Sequence, residues 1–245
     1  MAIEVFNRIE KKYLITEDVY GEFFDKIIPY MEMDAFCKDG KFYSINNIYF
    51  DTVNNDLIRT SIDKPAYKEK LRLRSYGVPE FNDIVFLEIK KKYNGIVNKR
   101  RTLLKLNQAY DFLFDGIMPS EGDYLNAQVL KELKFFMEFY NPVAKLFLAY
   151  DRVAMFGKDD ENLRITADRN IRTRRDDLRL EDGDYGDKLL QDGQVLIEIK
   201  TASSFPVWLV DILTELDMKG TSFSKYGTEY RQFMDNTLQK RGAIC

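Results

Sequence analysis

Residues 68–75 read KEKLRLRS, a run in which Lys70, Arg72 and Arg74 alternate with Leu71 and Leu73. In an extended strand, side chains two apart share a face, so one side of this segment is cationic and the other apolar. Two further runs repeat the pattern with an acid included: Glu88 and Lys90 in IVFLEIKKK (84–92), and Glu198 and Lys200 in QVLIEIKT (194–201). Burying unpaired like charges is prohibitive. A sheet that turns these faces inward therefore needs a highly charged ligand, and a phosphate chain meets that need.

Working outward, eight extended segments can be read: about 4–14, 42–50, 67–76, 84–92, 96–104, 143–156, 163–171 and 194–201. Asn94-Gly95 joins the fourth and fifth as a tight hairpin, because both residues tolerate positive φ. Helical spacing fills the gaps at 17–30, behind Thr16 as N-cap, and at 107–114, 124–140, 206–216 and 228–240. The charge-dense stretch 176–192 reads as a surface loop or hairpin. The expected fold is α+β: an eight-stranded antiparallel β-barrel with flanking helices, in one domain over residues 1–245. No repeat or low-complexity linker divides the chain.

The charged faces hold eleven bases and four acids. The bases are Arg8, Lys12, Lys70, Arg72, Arg74, Lys90, Lys99, Arg101, Arg152, Arg164 and Lys200; the acids are Glu10, Glu88, Asp168 and Glu198. Any one strand of this kind also fits an ordinary solvent face of an antiparallel sheet. Recurrence on most strands, with excess positive charge, favours a charged lumen with the apolar faces packed on helices. Arg forks bind phosphate oxygens in pairs while Lys supplies mobile charge. The acids suit Mg²⁺ or Mn²⁺ bridging phosphates, and equally suit internal salt bridges to a neighbouring Arg. Ser224-Lys225-Tyr226 precedes the last helix, where Lys225 either reaches a channel mouth or stays a solvated loop lysine. Tyr49, Phe50, Phe86 and Trp208 read as core rather than as base-stacking platforms.

Composition removes several alternatives. The chain has 245 residues, a formal net charge of −3 and no histidine. Histidine-dependent triads, phosphohistidine intermediates and His metal sites are excluded. The acidic total argues against nucleic acid as a partner. Two cysteines, Cys37 and Cys245, make no disulfide framework. No segment approaches ~18 apolar residues, and the first residues lack an apolar signal core; a cytoplasmic location is expected. No Walker A or G-x-G-x-x-G sequence occurs.

The set RIEKKY (8–13), SINNIYFDT (44–52), KLRLRSY (70–76), FLEIKKK (86–92), NKRR (98–101), YDR (150–152), RITADRNI (164–171), LIEIKT (196–201) and SKY (224–226) resembles the polyphosphate-polymerase domain of the vacuolar transporter chaperone (VTC) family. Those proteins are triphosphate tunnel metalloenzymes. The resemblance implies transfer of the ATP γ-phosphate to a growing polyphosphate chain, with a divalent metal, releasing ADP. Carried over by motif, Lys12, Arg72, Arg74, Lys90, Arg152 and Arg164 would bind triphosphate or product. Glu198 would hold the metal, and Lys200 and Lys225 would grip phosphates near the transfer point. Which of Lys99, Arg100 and Arg101 face inward depends on a local bulge. Related triphosphatases begin E-x-E-x-K, whereas this chain has R-x-E-x-K at 8–12, which favours polymerisation over hydrolysis. The regulatory domain and membrane segments of the fungal complexes are not in this sequence, so translocation would need a separate membrane partner. A triphosphatase and a non-catalytic polyphosphate-binding module are the alternatives.

Overall fold

Alternation of apolar and charged residues produces one antiparallel sheet, twelve-stranded among the described residues. The computed structural model describes residues 5–6, 9–119, 122 and 124–242; Arg8 falls outside them. In chain order the elements are β1 (Val5–Phe6), β2 (Ile9–Thr16), α1 (Glu17–Ile27), β3 (Met31–Met33), a 3₁₀ turn (Ala35–Gly40), β4 (Tyr43–Asp51), α2 (Asp56–Ile62), β5 (Tyr67–Tyr76), β6 (Ile84–Tyr93), β7 (Ile96–Lys105), α3 (Leu106–Asp115), α4 (Ala127–Tyr140), β8 (Val143–Gly157), β9 (Arg164–Arg174), β10 (Asp187–Lys188), β11 (Gln194–Thr201), α5 (Val207–Glu215), β12 (Gly220–Thr221) and α6 (Lys225–Gly242). The hairpin at Asn94-Gly95 forms as expected, with φ of 45° and 90°. Thr16 caps α1 by accepting from the Val19 amide at 3.4 Å.

The apolar faces point away from the charged ones and each meets helices. Leu71, Leu73, Val85, Leu87, Ile89 and Leu104 pack against α3 and α4 through Tyr110, Phe112, Leu133 and Phe136. On the other half, Val153, Met155, Ile165, Val195, Ile197 and Ile199 pack against Phe23 and Ile27 of α1 and Leu209 and Ile212 of α5. A third cluster fills part of the inner side: Ile45, Leu148, Tyr150 and Leu196 meet Ile58 of α2 and Tyr226 and Tyr230 of α6. The short helix α2 and the first turns of α6 thus cover the apolar part of the bore.

The expected barrel is not closed as a continuous ladder. Strand order runs β1-β7-β6-β5-β4-β8-β9-β11-β2-β12, with β10 on β9 and β3 on β8. The reason is at β2. One edge of β2 pairs with β11, while Tyr13 and Lys12 on the other edge are taken by Gly220 and Thr221 of β12. Only β1 is left to pair with β7, Val5 opposite Asn98 and Phe6 opposite Val97. Consecutive segments of the chain therefore sit at opposite ends of the ladder, and the seam between them opens the bore sideways.

Candidate functional site

Register builds the first half of the charged wall. Arg72 lies opposite Glu88, which lies opposite Arg101, and Lys70 lies opposite Lys90, which lies opposite Lys99. The β6–β7 ladder runs without a bulge, so Lys99 and Arg101 share the inner face; Arg100 points out and pairs with Glu132 of α4 at 3.2 Å. Glu88, only 2% exposed, receives Arg72 Nε at 2.6 Å and also pairs with Lys99. Burial works against its ionisation, yet Arg72, Arg74 and Lys99 hold its carboxyl below the usual range. Arg72 also donates to Tyr49 Oη at 3.3 Å, and Arg74 to Asn47 Oδ1 at 2.8 Å and Tyr150 Oη at 3.1 Å. These contacts fix both guanidinium planes before any ligand arrives.

The second half centres on Asp168 and Glu198. Arg152 grips Asp168 with two bonds, 2.6 and 2.8 Å. Ser224 accepts from the Gly227 amide at 3.3 Å and so caps α6; Lys225, the first helical residue, then reaches between Asp168 and Glu198. Glu198 also meets Lys12 at 3.2 Å and Lys200 at 3.0 Å, and the same two lysines reach Glu10 at 3.4 and 3.8 Å. Burial opposes ionisation of Asp168, Glu198 and Glu10, but the surrounding bases hold all three carboxyls low. Burial would likewise lower Lys225, and its two carboxylates overcome that and raise it.

For the remaining bases, burial outweighs the pull of any carboxylate. Burial, together with Lys90, Lys68 and Lys12, pushes the Lys70 ammonium down to about 8. Burial with Arg72 and Arg74 brings Lys99 down to about 8, against the pull of Glu88. Lys90 is lowered too, by burial and by Arg72, Lys200 and Lys12. Tyr49, which burial alone would raise, is lowered to about 8 by Arg72, Lys70 and Arg74. Lys90 and Lys99 nonetheless keep solvent contact. Bases that crowd one another while remaining wet define a bore built for an anion.

This predicts a pH dependence with a definite sign. Bound phosphate raises Lys70 and Lys99 toward the ordinary lysine value and reprotonates Tyr49, so binding takes up protons above about pH 8. Affinity for inorganic tripolyphosphate should fall as pH rises from 8 to 10. Titration calorimetry in buffers of different ionisation enthalpy measures the uptake; no uptake at pH 8.5 would contradict the crowded-lysine reading.

At the β2–β12 side of the seam lies a cavity of about 890 Å³ lined by Lys12, Lys70 and Lys90 and by Lys64, Lys68 and Arg231. The expected residues Lys12, Lys70, Arg72, Arg74, Lys90, Lys99, Arg152, Lys200, Lys225, Glu10, Glu88, Asp168 and Glu198 are thus distributed over two linked clusters and the cavity between them. Arg101 and Arg164 stand apart from the ion-pair centres: Arg101 lies over the Phe86 ring at 5.4 Å, and Arg164 lies over Phe156 and reaches Asp34 at 3.7 Å. Asn47, Tyr49 and Tyr150 were not singled out as site residues by sequence. Their only signal is spacing: Asn47 and Tyr49 share a strand face, and Tyr150 precedes Arg152 by two.

A divalent cation fits this site in one way. Among the described residues no three acids converge into a metal cage. Glu198 shares lysines with Glu10 and with Asp168, so carboxylates occur here in bridged pairs, whereas Glu88 belongs to the Arg72 cluster. Mg²⁺-type ions accept one or two carboxylates with substrate phosphates completing the shell. The donor set suits that arrangement and not an all-protein one.

Comparison with known proteins agrees with this fold. The VTC domain family model matches residues 7–234. A candidate adenylate cyclase from Bacillus halodurans superposes with a TM-score of 0.55 at 15% identity, covering 89% of this chain and 93% of that one. A second candidate adenylate cyclase, from Vibrio parahaemolyticus, gives 0.50 at 12% identity, covering 92% and 98%. At such identities the likeness is one of fold alone. No curated protein matches the chain.

Proposed function

The chain belongs to the VTC domain family, and from that premise we propose that it transfers the γ-phosphate of ATP to a growing polyphosphate chain inside the basic bore. The observation that carries the reading is the crowding of positive charge: Lys70, Lys90 and Lys99 lie abreast on three neighbouring strands of the bore wall, and Lys99 shares its carboxylate, Glu88, with Arg72. Phosphoryl transfer asks mainly for alignment and charge neutralisation. Arg72 and Arg74, held by Glu88, Tyr49, Asn47 and Tyr150, supply rigid forks for the transferred group. Lys12, Lys200 and Lys225 ring Glu198 and neutralise the neighbouring phosphates. Glu198 with Glu10 would hold Mg²⁺ or Mn²⁺, which supplies neutralisation of phosphate oxygens.

The acceptor is itself a phosphate oxyanion, so its attack needs no general base. Hydrolysis needs a carboxylate placed as general base to take a proton from the attacking water. Glu88 and Asp168 are engaged by bases and Glu10 and Glu198 are assigned to the metal, which leaves none of these carboxylates for that role and favours transfer over hydrolysis. Among the described residues no helix is long and apolar enough to cross a membrane; passage of product through a membrane would fall to a partner.

The test is incubation of the purified chain with ATP and Mn²⁺, followed by a gel stained for polyphosphate. Long chains are expected; phosphate release alone would identify a triphosphatase, and binding without turnover a polyphosphate-binding module. Glu198→Gln should raise the metal concentration needed for half-maximal activity several-fold, while Glu88→Gln lowers activity without moving that midpoint. A metal titration giving the same midpoint for Glu198→Gln and wild type would remove Glu198 from the metal site.

A further inference from the structure

Phosphate binding explains the charged wall but not the aromatic collar at one rim of the bore. Tyr43, Tyr76 and Phe86 lie on the inward faces of β4, β5 and β6: Tyr43 is opposite Arg152, Tyr76 follows Arg74 by two residues, and Phe86 is opposite Arg74. Tyr43 and Tyr76 are 5.9 Å apart between ring centres, and Phe86 meets Tyr76 edge-on at 5.5 Å. Phe36, from the 3₁₀ turn, stacks parallel on Tyr76 at 5.8 Å with 4° between the planes. Phe36 is nevertheless 70% exposed and Tyr76 44%.

Phe36 is held in this position. The next residue, Cys37, is fully buried, and its sulfur accepts from the Ala154 amide at 3.2 Å. The Phe36 amide donates to Asp34 Oδ1 at 3.2 Å and the Cys37 amide to Asp34 O at 2.8 Å. A pinned turn that keeps an aromatic ring out in water, parallel to a second ring, offers a ready surface for a flat heterocycle. The seam cavity has the opposite chemistry, with Lys64, Lys68, Lys92 and Arg231 around it. Along β5 and β6 the inward face thus runs from aromatic at Tyr76 and Phe86 to cationic at Lys68, Lys70, Lys90 and Lys92.

We propose that the collar is a nucleobase subsite: the base of a nucleoside triphosphate stacks on Phe36 and Tyr76 while its phosphates run inward to Arg74 and Arg152. This rests on the phosphoryl-transfer reading above and adds the direction in which the nucleotide enters. Two residues of strand rise separate Tyr76 from Arg74 by ~7 Å, which leaves room for a ribose between base and α-phosphate. Stacking tolerates any base because each has a π-face; purines, with more overlap, bind tighter than pyrimidines.

Titration calorimetry of the full chain with ATP and with inorganic tripolyphosphate tests this. In Phe36→Ala and in Tyr76→Ala, ATP should bind on the order of tenfold more weakly, with tripolyphosphate affinity unchanged. Phe36→Trp should retain ATP affinity, and its fluorescence should be quenched by ATP and not by tripolyphosphate. Equal weakening of both ligands would make the collar a structural element, and unchanged ATP affinity with intact tripolyphosphate binding would remove the subsite while leaving the bore reading in place. If wild type binds neither ligand, the phosphoryl-transfer reading fails and takes the subsite with it.

Discussion

Arg72→Ala should lower polyphosphate synthesis about 10²–10³-fold, and the double variant Arg72→Ala/Glu88→Gln should recover stability without recovering the activity. Arg72 donates to Glu88 at 2.6 Å, and Glu88 is 2% exposed. Removing one partner of such a pair leaves a buried carboxylate with Lys99 beside it and Arg74 nearby, a loss of roughly 3–5 kcal/mol of stability when the pair is fully buried. Arg72 is partly exposed to the bore, so the lower end of that range is expected. Neutralising Glu88 in the same chain removes most of this penalty. Catalysis cannot return, because the guanidinium that faces the transferred phosphate is still missing; losing one such preorganised donor lowers turnover about 10²–10³-fold. Urea unfolding and the polyphosphate gel read the two effects separately. A double variant that regains both stability and synthesis would show that Arg72 acts only as a counter-ion.

How this wall was legible in the sequence is instructive. Alternation of one residue type with another fixes which side chains share a face, so KEKLRLRS, IVFLEIKKK and QVLIEIKT already contain β5, β6 and β11. Burial of Leu71, Leu73, Leu87, Ile197 and Ile199 against α1, α3, α4 and α5 then decides which face is inside the bore. The helix α2 was missed because its seven residues hold only Leu57 and Ile58 as buried positions. It is fixed by a distant group: both amides of Leu57 and Ile58 donate to the Asp51 carboxylate at 2.9 Å. The open seam was missed for a similar reason, as β12 is two residues long and carries no alternation of its own.

The site divides along the same line. Residues on alternating strands declared themselves, but pairing across strands depends on register that a single sequence does not fix. Lys225 shows this best. Its position ahead of the last helix is visible in SKY (224–226), whereas its insertion between Asp168 and Glu198 depends on α6 packing over the bore. Likewise each acid was readable as metal ligand or salt-bridge partner, and the structure pairs every one of them with bases while leaving Glu198 and Glu10 near enough to share two lysines.

Those paired acids lead to the second large effect, at Asp168. Arg152 and Lys225 are both almost buried, and Asp168, with no exposed surface, is their common partner. Asp168→Ala leaves Arg152 without its two-bonded partner and Lys225 with Glu198 alone, and should cost on the order of 3–5 kcal/mol. For a domain of this length that is a fall in melting temperature of roughly 10 °C. Its carboxyl is held low in the folded protein, by Arg152 and Lys225 against burial, so the stability it supplies is present above the unfolded carboxylate value near ~3.9 and disappears as pH falls through the folded one. Wild type should therefore lose this contribution in acid, and Asp168→Ala should show a flatter acid limb. The interior carboxylates also stand where phosphate oxygens would otherwise neutralise the same bases, which keeps the bore folded when it is empty. Inorganic tripolyphosphate should accordingly raise the melting temperature of Asp168→Ala by more than it raises that of wild type. Equal shifts for the two proteins in a thermal melt with and without tripolyphosphate would mean that Asp168 serves packing alone and that phosphate does not take its place.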